Sequence, residues 1–301
     1  MMEPRQLGRT TLQVLPVGLG CMSFPDERTA RELVQLALDA GVNFFDTADL
    51  YGQGTNELWL GNALKGRRSK AVVATKVGNR FEPGKPGWSW GPSKEYILHA
   101  VEHSLRRLQT DYIDLYQLHG GTVEDPIDDI IEAFELLQEK GYIRAYGISS
   151  IRPNVVREYV RKSRIATLMS QYGLLDRRPE EEVLDLVHDA SISVIARGPL
   201  ARGWLTAQGR TDGTGFLDYN ANELPGLRVQ LTELAGGADK LTQLALRYSL
   251  DHPAVAVAIP GSSSKKQLME TLHGWSDAPL REDELAQLQV LLKQQRYEQH
   301  R

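Results

Sequence analysis

Four titratable side chains of complementary chemistry stand at or just beyond apolar runs in the first half of the chain: Asp46, Tyr51, Lys76 and His119. Asp46 follows the run 42–45, Tyr51 lies in the loop beyond it, Lys76 follows 71–75 and His119 follows 112–118. Singly, each has an ordinary explanation, because a turn Asp caps, a loop Tyr packs and a Lys reaches solvent. Together they form a proton donor with its controls. A phenol, with a pKa of about 10, releases its proton poorly at neutral pH, and a neighbouring ammonium favours the phenolate. Lys76 would supply that ammonium. Asp46 would keep it charged, since a desolvated Lys without an anionic partner turns neutral. His119 would donate a hydrogen bond to a substrate oxygen or relay a proton. Such a set suits protonation of a carbonyl oxygen, and reduction of that carbonyl would need a hydride-carrying cofactor in the adjoining loops.

Two stretches compete as the cofactor site. Gly18-Leu19-Gly20-Cys21-Met22-Ser23 nearly matches the glycine fingerprint of dinucleotide-binding folds, with Asp39 at the distance of a ribose-binding acid. Its third position is Ser23, however, and Phe24-Pro25 separates it from Asp26, the expected N-cap, so these glycines do not open a helix. Close packing of the first strand explains Gly18 and Gly20 better. The second stretch is Pro260-Gly261-Ser262-Ser263-Ser264, where a strand at 255–259 runs into a helix and hydroxyls converge with free helix N–H groups. Ser264 can also serve as that helix's cap. The loop from Arg197 to Gly203 adds the guanidiniums of Arg197 and Arg202, suited to phosphate.

These residues need a scaffold that brings them to one mouth. Short β-branched runs alternate with amphipathic stretches, the sign of repeated βα units around a parallel sheet. The strand expectations are 17–19, 42–45, 71–75, 112–118, 144–149, 165–170, 193–196 and 255–259. Between them fall apolar stripes of helical period, such as Leu33, Leu36, Ala37 and Ala40, opened by Asp26 and closed by Gly41. Ser93 opens another stripe, and Ile127, Ile130, Ile131, Phe134 and Leu137 form a third before Gly141. Further stripes are centred on Val183 to Ala190 and Leu241 to Tyr248, and the last helices start near Ser264 and Arg281. Eight units with no dividing linker predict one α/β domain over 1–301, a (β/α)8 barrel of the TIM type, with an open doubly wound sheet as the alternative. Segment 6–16 is expected to form a hairpin closing the barrel's bottom, and the helix near Arg281 is extra to the barrel. In such a barrel functional residues lie at the strands' C-terminal ends, where all four reactive groups fall. Loops 78–92 and 206–227 carry Phe81, Trp88, Trp90, Phe216 and Tyr219, either as an aromatic lid or as loop packing. Arg80 and Lys85 are expected at the solvated surface.

Composition narrows the partners. The 35 Lys and Arg against 39 Asp and Glu leave a net charge of −4 with no basic cluster, so neither nucleic acid nor an anionic membrane is an expected partner. Cys21 is the only cysteine, which excludes an internal disulfide and any thiolate-rich metal site and fits a reducing, cytoplasmic compartment. The stretch 1–9 lacks the apolar core of a signal peptide, and no run approaches a membrane-spanning length.

The motifs Phe45-Asp46-Thr47-Ala48, Tyr51-Gly52, Ala74-Thr75-Lys76 and Leu118-His119 closely resemble the Asp/Tyr/Lys/His tetrad of the aldo-keto reductases, and the general layout is like the bacterial members related to potassium-channel β-subunits. The resemblance extends over the chain through Gly147-Ile148-Ser149, Gln171-Tyr172, Gly198-Pro199-Leu200 and Ile259-Pro260-Gly261 to Gln267 and Glu270. It implies a (β/α)8 barrel that binds NADPH along its C-terminal rim and reversibly reduces aldehydes or ketones, with Tyr51 as proton donor, Lys76 and Asp46 tuning it and His119 orienting the substrate. It also implies contacts from Gly20, Met22 and Asp46 to the cofactor, and from Ser149, Ser150 and Gln171 to the nicotinamide carboxamide. Gly198, Pro199, Leu200, Arg202 and Gly203 would wrap the pyrophosphate. Gly261, Ser262, Ser263, Lys265, Gln267, Glu270 and Thr271 would hold the adenosine end.

The chain departs from the family pattern at three places. Ser149-Ser150 stands where Ser-Asn is frequent, and Arg197 stands where a Tyr often stacks on the nicotinamide. Ser263 replaces a basic residue for the adenosine 2′-phosphate and Thr271 an Asn, with Lys265 and Lys266 nearby, so NADPH is expected ahead of NADH. Two other classes remain open: a Schiff-base aldolase using Lys76, disfavoured because its amine must be neutral to attack, and a cofactor-binding, redox-sensing regulatory subunit with little turnover. At Arg197 a cation would sit beside a ring that becomes cationic on oxidation, and we expect it to stack poorly or contact phosphate and to favour the reduced cofactor. Dissociation constants for oxidised and reduced cofactor, compared between wild type and Arg197→Tyr, check this: the ratio should narrow in the variant, and an unchanged ratio contradicts it.

Overall fold

The computed structural model describes residues 3–82, 84–210, 212–273 and 278–301. Met1 in the N-terminal stretch, Pro83 in loop 78–92 and Thr211 in loop 206–227 lie outside the described residues. The chain opens with an antiparallel hairpin, β1 (Arg5–Gln6) and β2 (Gln13–Val14), as expected for segment 6–16. The first βα units are β3 (Leu19–Gly20) with α1 (Glu27–Asp39), and β4 (Phe44–Asp46) with α2 (Thr55–Ala63). β5 (Val72–Val77) is followed by a small hairpin, β6 (Asn79–Arg80) and β7 (Ser89–Trp90), and by α3 (Lys94–Leu108). Then come β8 (Ile113–Leu118), α4 (Ile127–Glu139), β9 (Ile143–Ser149), α5 (Pro153–Lys162), β10 (Thr167–Gln171) and α6 (Val183–Asp189). β11 (Ser193–Arg197), α7 (Glu223–Ala235), α8 (Leu241–Asp251), β12 (Val255–Ile259), α9 (Lys265–His273) and α10 (Glu282–Leu291) complete the order.

Eight of these strands, among the described residues, form one parallel sheet in chain order, β3-β4-β5-β8-β9-β10-β11-β12. Parallel bridges Val17–Ala258 and Gly20–Gly261 bring its edges together into a nearly closed (β/α)8 barrel. The seam explains the two glycines of the fingerprint-like segment. A Cβ on Gly18 would stand 2.9 Å from the Phe44 ring, and one on Gly20 would stand 3.2 Å from the Ile259 carbonyl oxygen. A short 3₁₀ turn over Cys21–Ser23 follows, and α1 starts only after Asp26, whose carboxylate accepts from the Thr29 N–H at 2.8 Å.

Phe44, Ala74, Leu115, Ala145, Met169, Ile195 and Val257 form the barrel's inner cluster with Leu7, Leu12 and Val14 of the hairpin. The hairpin therefore plugs the end where the strands begin. Arg5 donates to the Leu250 and Val255 carbonyls at 3.1 and 2.8 Å, and the Gly8 N–H donates to Ser193 Oγ at 2.8 Å.

Two helices escaped the periodicity reading. α5 is short and strongly charged, with Val155, Val156 and Tyr159 as its buried face. α7 begins inside the stretch read as loop 206–227, and Pro225 and Gly226 in its first turn resemble a breaker, although Pro is tolerated there. Phe216 and Tyr219 are buried and pack their loop onto the barrel, while Trp88 is exposed. Arg80 and Lys85 are exposed, as expected, and Arg80 also donates to the Gly91 carbonyl at 2.6 Å and Ser93 Oγ at 2.9 Å.

Candidate active site

Strand register brings the reactive groups together. Asp46 ends β4 beside Ala74 of β5, so Lys76, two residues further along β5, reaches back across the strand end. Lys76 Nζ lies 2.7 Å from both Asp46 carboxylate oxygens and donates to the Thr47 carbonyl at 2.7 Å. Its fourth neighbour is the Tyr51 hydroxyl at 3.5 Å. Tyr51 is aimed inward by the turn after it, where Gly52, Gln53 and Gly54 take φ of 57°, 51° and 89°, a left-handed run that doubles the chain back into α2. His119 directly follows β8, its N–H bonded to the Val77 carbonyl at 2.8 Å. Its ring meets the Tyr51 ring edge-on, 5.8 Å between centroids. All four predicted residues thus meet at the strands' C-terminal ends.

The electrostatics follow from burial. Burial is the largest single influence on the Lys76 ammonium and works against it, but the Asp46 carboxylate, the Tyr51 oxygen and the hydrogen bonds to both together hold Lys76 above its ordinary range. Burial pushes the Tyr51 phenol upward, with Lys76 offsetting only part of this. That direction differs from the sequence expectation, in which the ammonium alone was weighed and lowered the phenol. Tyr51 is therefore a protonated phenol at neutral pH, the form a proton donor requires. Burial, with the charges of Lys76 and Arg197, lowers His119 from 6.5 to about 3, so its imidazole is neutral. Its Nδ1 is buried without a hydrogen-bond partner.

Several of the residues expected to hold a cofactor lie at the ends of the next strands. Ser149, Gln171 and Arg197 end the consecutive strands β9, β10 and β11, and Arg197 Nη1 donates to Gln171 Oε1 at 2.9 Å. Ser150 donates its N–H to the Met169 carbonyl at 3.0 Å and accepts at Oγ from the Arg152 N–H at 3.2 Å. Beyond β11, Gly198, Arg202 and Gly203 have φ of 67°, 56° and 95°, and a Cβ on Gly198 or Gly203 would meet nothing closer than 3.8 Å. Pro199 and Leu200 complete that turn. Beyond β12, Ser262 Oγ is buried and unpartnered. Gln267 Oε1 accepts from Ser263 N–H and Oγ at 2.8 and 3.0 Å. Lys265 is exposed, Thr271 is buried, and Met22 stands exposed beyond β3. Glu270 is already committed, accepting at one oxygen from the Ala207 N–H at 2.7 Å and Thr242 Oγ1 at 2.6 Å. Open glycine turns and an unpartnered buried hydroxyl along one rim fit an extended, phosphate-bearing ligand.

Of the residues behind Lys76, the sequence offers Thr47 and Thr75 only as parts of motifs and assigns Asn56 and Glu57 no role. Thr47, Asn56, Glu57 and Thr75 are all buried polar residues, Thr47 bonded to Asn56 and Thr75 to Glu57. The available signal was two adjacent polar residues, Asn56 and Glu57, opening a short helix directly after the Tyr51 turn.

A family model described as the aldo/keto reductase family matches residues 16–293. The oxidoreductase YqkF of Bacillus subtilis (strain 168), named as uncharacterised, is 48% identical, with 100% of each chain covered. The solved aldo-keto reductase AKR11C1 from Bacillus halodurans, in its holo form, is 51% identical at a TM-score of 0.94, covering 100% of this chain and 99% of that one. The glycerol dehydrogenase AKR11B4 from Gluconobacter oxydans is 26% identical at a TM-score of 0.85, covering 96% and 94%.

The lowered His119 makes stability depend on pH with a definite sign. Below pH 6.5 the unfolded chain protonates this imidazole, whereas the folded protein resists until about pH 3, so stability falls as pH drops through that window. His119→Asn removes the effect. Between pH 7 and pH 4, denaturant melts should show the wild type losing roughly 3 kcal/mol more than the variant, and equal losses would contradict a neutral buried His119.

Proposed function

Because the chain belongs to the aldo/keto reductase family, whose members use nicotinamide cofactors, we propose that it is an NADPH-dependent reductase of small aldehydes or ketones, working reversibly in the cytoplasm. The observation that carries this reading is the Tyr51 hydroxyl 3.5 Å from the Lys76 ammonium, which is itself paired with Asp46 at 2.7 Å. When bound, the cofactor supplies hydride from its nicotinamide C4. Tyr51 gives its phenolic proton to the carbonyl oxygen, and Lys76 stabilises the phenolate charge as it develops. Asp46 and the Thr47 carbonyl keep the ammonium aimed, so no reorganisation is needed at that moment. His119, neutral, orients the substrate oxygen through its ring nitrogen. In the reverse direction Tyr51 recovers the proton from the alcohol.

Ser149, Ser150 and Gln171 are assigned to the carboxamide, with Arg197 reaching the cofactor from its place on Gln171. The turn holding Gly198, Pro199, Leu200, Arg202 and Gly203 is assigned to the pyrophosphate. Gly20, Met22 and Asp46 are assigned to the cofactor's reactive half, and Gly261, Ser262, Ser263, Lys265, Gln267, Glu270 and Thr271 to its adenosine half. Lys265 and the adjacent Lys266 support NADPH over NADH, since a 2′-phosphate rewards nearby cations. The ion pair at 2.7 Å weighs against a Schiff-base lysine. The cytoplasmic assignment is supported by the lone cysteine.

Tyr51→Phe removes the proton donor and nothing else. It should lower turnover with NADPH and 4-nitrobenzaldehyde by about 100- to 10,000-fold, leaving the NADPH dissociation constant near that of wild type. A parallel loss of cofactor affinity would contradict the division of roles.

A further inference from the structure

The grip on Lys76 does not end at Asp46. The Thr47 carbonyl takes a second hydrogen of the ammonium at 2.7 Å, and the Lys76 carbonyl accepts from the Asp49 N–H at 3.3 Å. Two hydroxyls beside these groups lead to adjacent residues in the first turn of α2. Thr47 Oγ1 donates to Asn56 Oδ1 at 2.7 Å, and Asn56 Nδ2 donates to the Cys21 carbonyl at 2.8 Å. Thr75, next to Lys76 on β5, donates through Oγ1 to Glu57 Oε1 at 2.6 Å. Glu57 Oε2 then accepts from Arg107 of α3, at 2.7 Å from Nε and 2.6 Å from Nη2. Thr47, Thr75 and Glu57 are 0% exposed and Asn56 is 4% exposed.

This arrangement is more polar than holding a helix in place demands. A buried ion pair gains little over apolar packing in stability, and its directional bonds fix geometry instead. The surroundings are shaped to admit it. A Cβ on Gly54 would stand 2.6 Å from Arg107 Cδ and Nε, and one on Gly61 would stand 2.7 Å from the Arg107 and Leu108 carbonyl oxygens. Glycine at both places lets α2 close onto α3 and lets the guanidinium pass to Glu57.

We propose that Asn56 and Glu57 are positioning residues for proton transfer. Acting through Thr47 and Thr75, they hold Lys76 from its two sides so that its ammonium stays within reach of the Tyr51 hydroxyl. The inference rests on the reductase reading above. The groups facing Tyr51 are Lys76 and Asp46, His119 across the mouth and Arg197 from β11. Asn56 and Glu57 reach it through Lys76. Asp49, whose backbone N–H meets the Lys76 carbonyl, has its carboxyl pushed well up by its burial and by the Glu57 charge.

Thr47→Val and Thr75→Val each remove one hydroxyl while keeping side-chain shape, backbone, Lys76 and Asp46. With NADPH and 4-nitrobenzaldehyde, each should lower kcat by roughly 10- to 100-fold, as a misplacement of about 1 Å does, with KM and NADPH affinity within about twofold of wild type. Thr75→Ser, which restores the hydroxyl, should recover most of kcat. Crystal structures of the two valine variants should show Lys76 Nζ moved from Tyr51. Wild-type kcat in both variants, equal losses in kcat and affinity, absence of serine rescue, or an unmoved Lys76 would overturn the proposal. If the wild type itself fails to turn over, the reductase reading falls, and the Lys76 position in the variant structures decides the positioning role alone. If one variant does not fold, the other carries the same test.

Discussion

An ammonium cut off from water inside a barrel persists only if a carboxylate is fixed against it and its remaining protons find acceptors. Lys76 meets those terms with Asp46 and the Thr47 carbonyl, both supplied by the neighbouring strand β4 and the residue after it. Much else at the mouth is a consequence. The charge of Lys76 opposes protonation of His119 and offsets part of the upward push of burial on Tyr51. Losing Asp46 alone would strand a buried cation, so the pair behaves as one unit.

The scaffold's contribution is register. In a parallel barrel, residues at the ends of adjacent strands come to one rim without any loop having to be long. Asp46, Lys76 and His119 use three such ends, and Ser149, Gln171 and Arg197 use the next three. The hairpin from Arg5 to Val14 blocks the other end, and the glycine seam at Gly18 and Gly20 lets the first and last strands approach. These candidate site residues are thereby gathered at one face.

How much of this is readable from residues alone depends on the range of the interactions. Strand-end chemistry at Asp46, Lys76 and His119 is legible because each follows an apolar run, and Asp26 and Ser93 are legible as caps because capping is local. The direction of the Tyr51 shift is not, since it is set by burial contributed from several distant strands. The link from Thr75 to Glu57 to Arg107 is likewise hidden, its members being joined only when α2 and α3 pack. α7 was concealed for the opposite reason: Pro225 and Gly226 look like a local stop, whereas Leu224, Leu227 and Leu231 bury a face that holds the helix.

The central claim is that this mouth transfers a proton to a carbonyl while hydride arrives from NADPH. Its most direct test mixes the purified protein with NADPH and a panel of carbonyl compounds, including 4-nitrobenzaldehyde, methylglyoxal and simple sugars, and follows the absorbance of the reduced cofactor. The account predicts carbonyl-dependent consumption of NADPH, faster than that of NADH, with the alcohol as product. Tight NADPH binding with no consumption for any carbonyl would contradict it and leave a cofactor-sensing protein in its place.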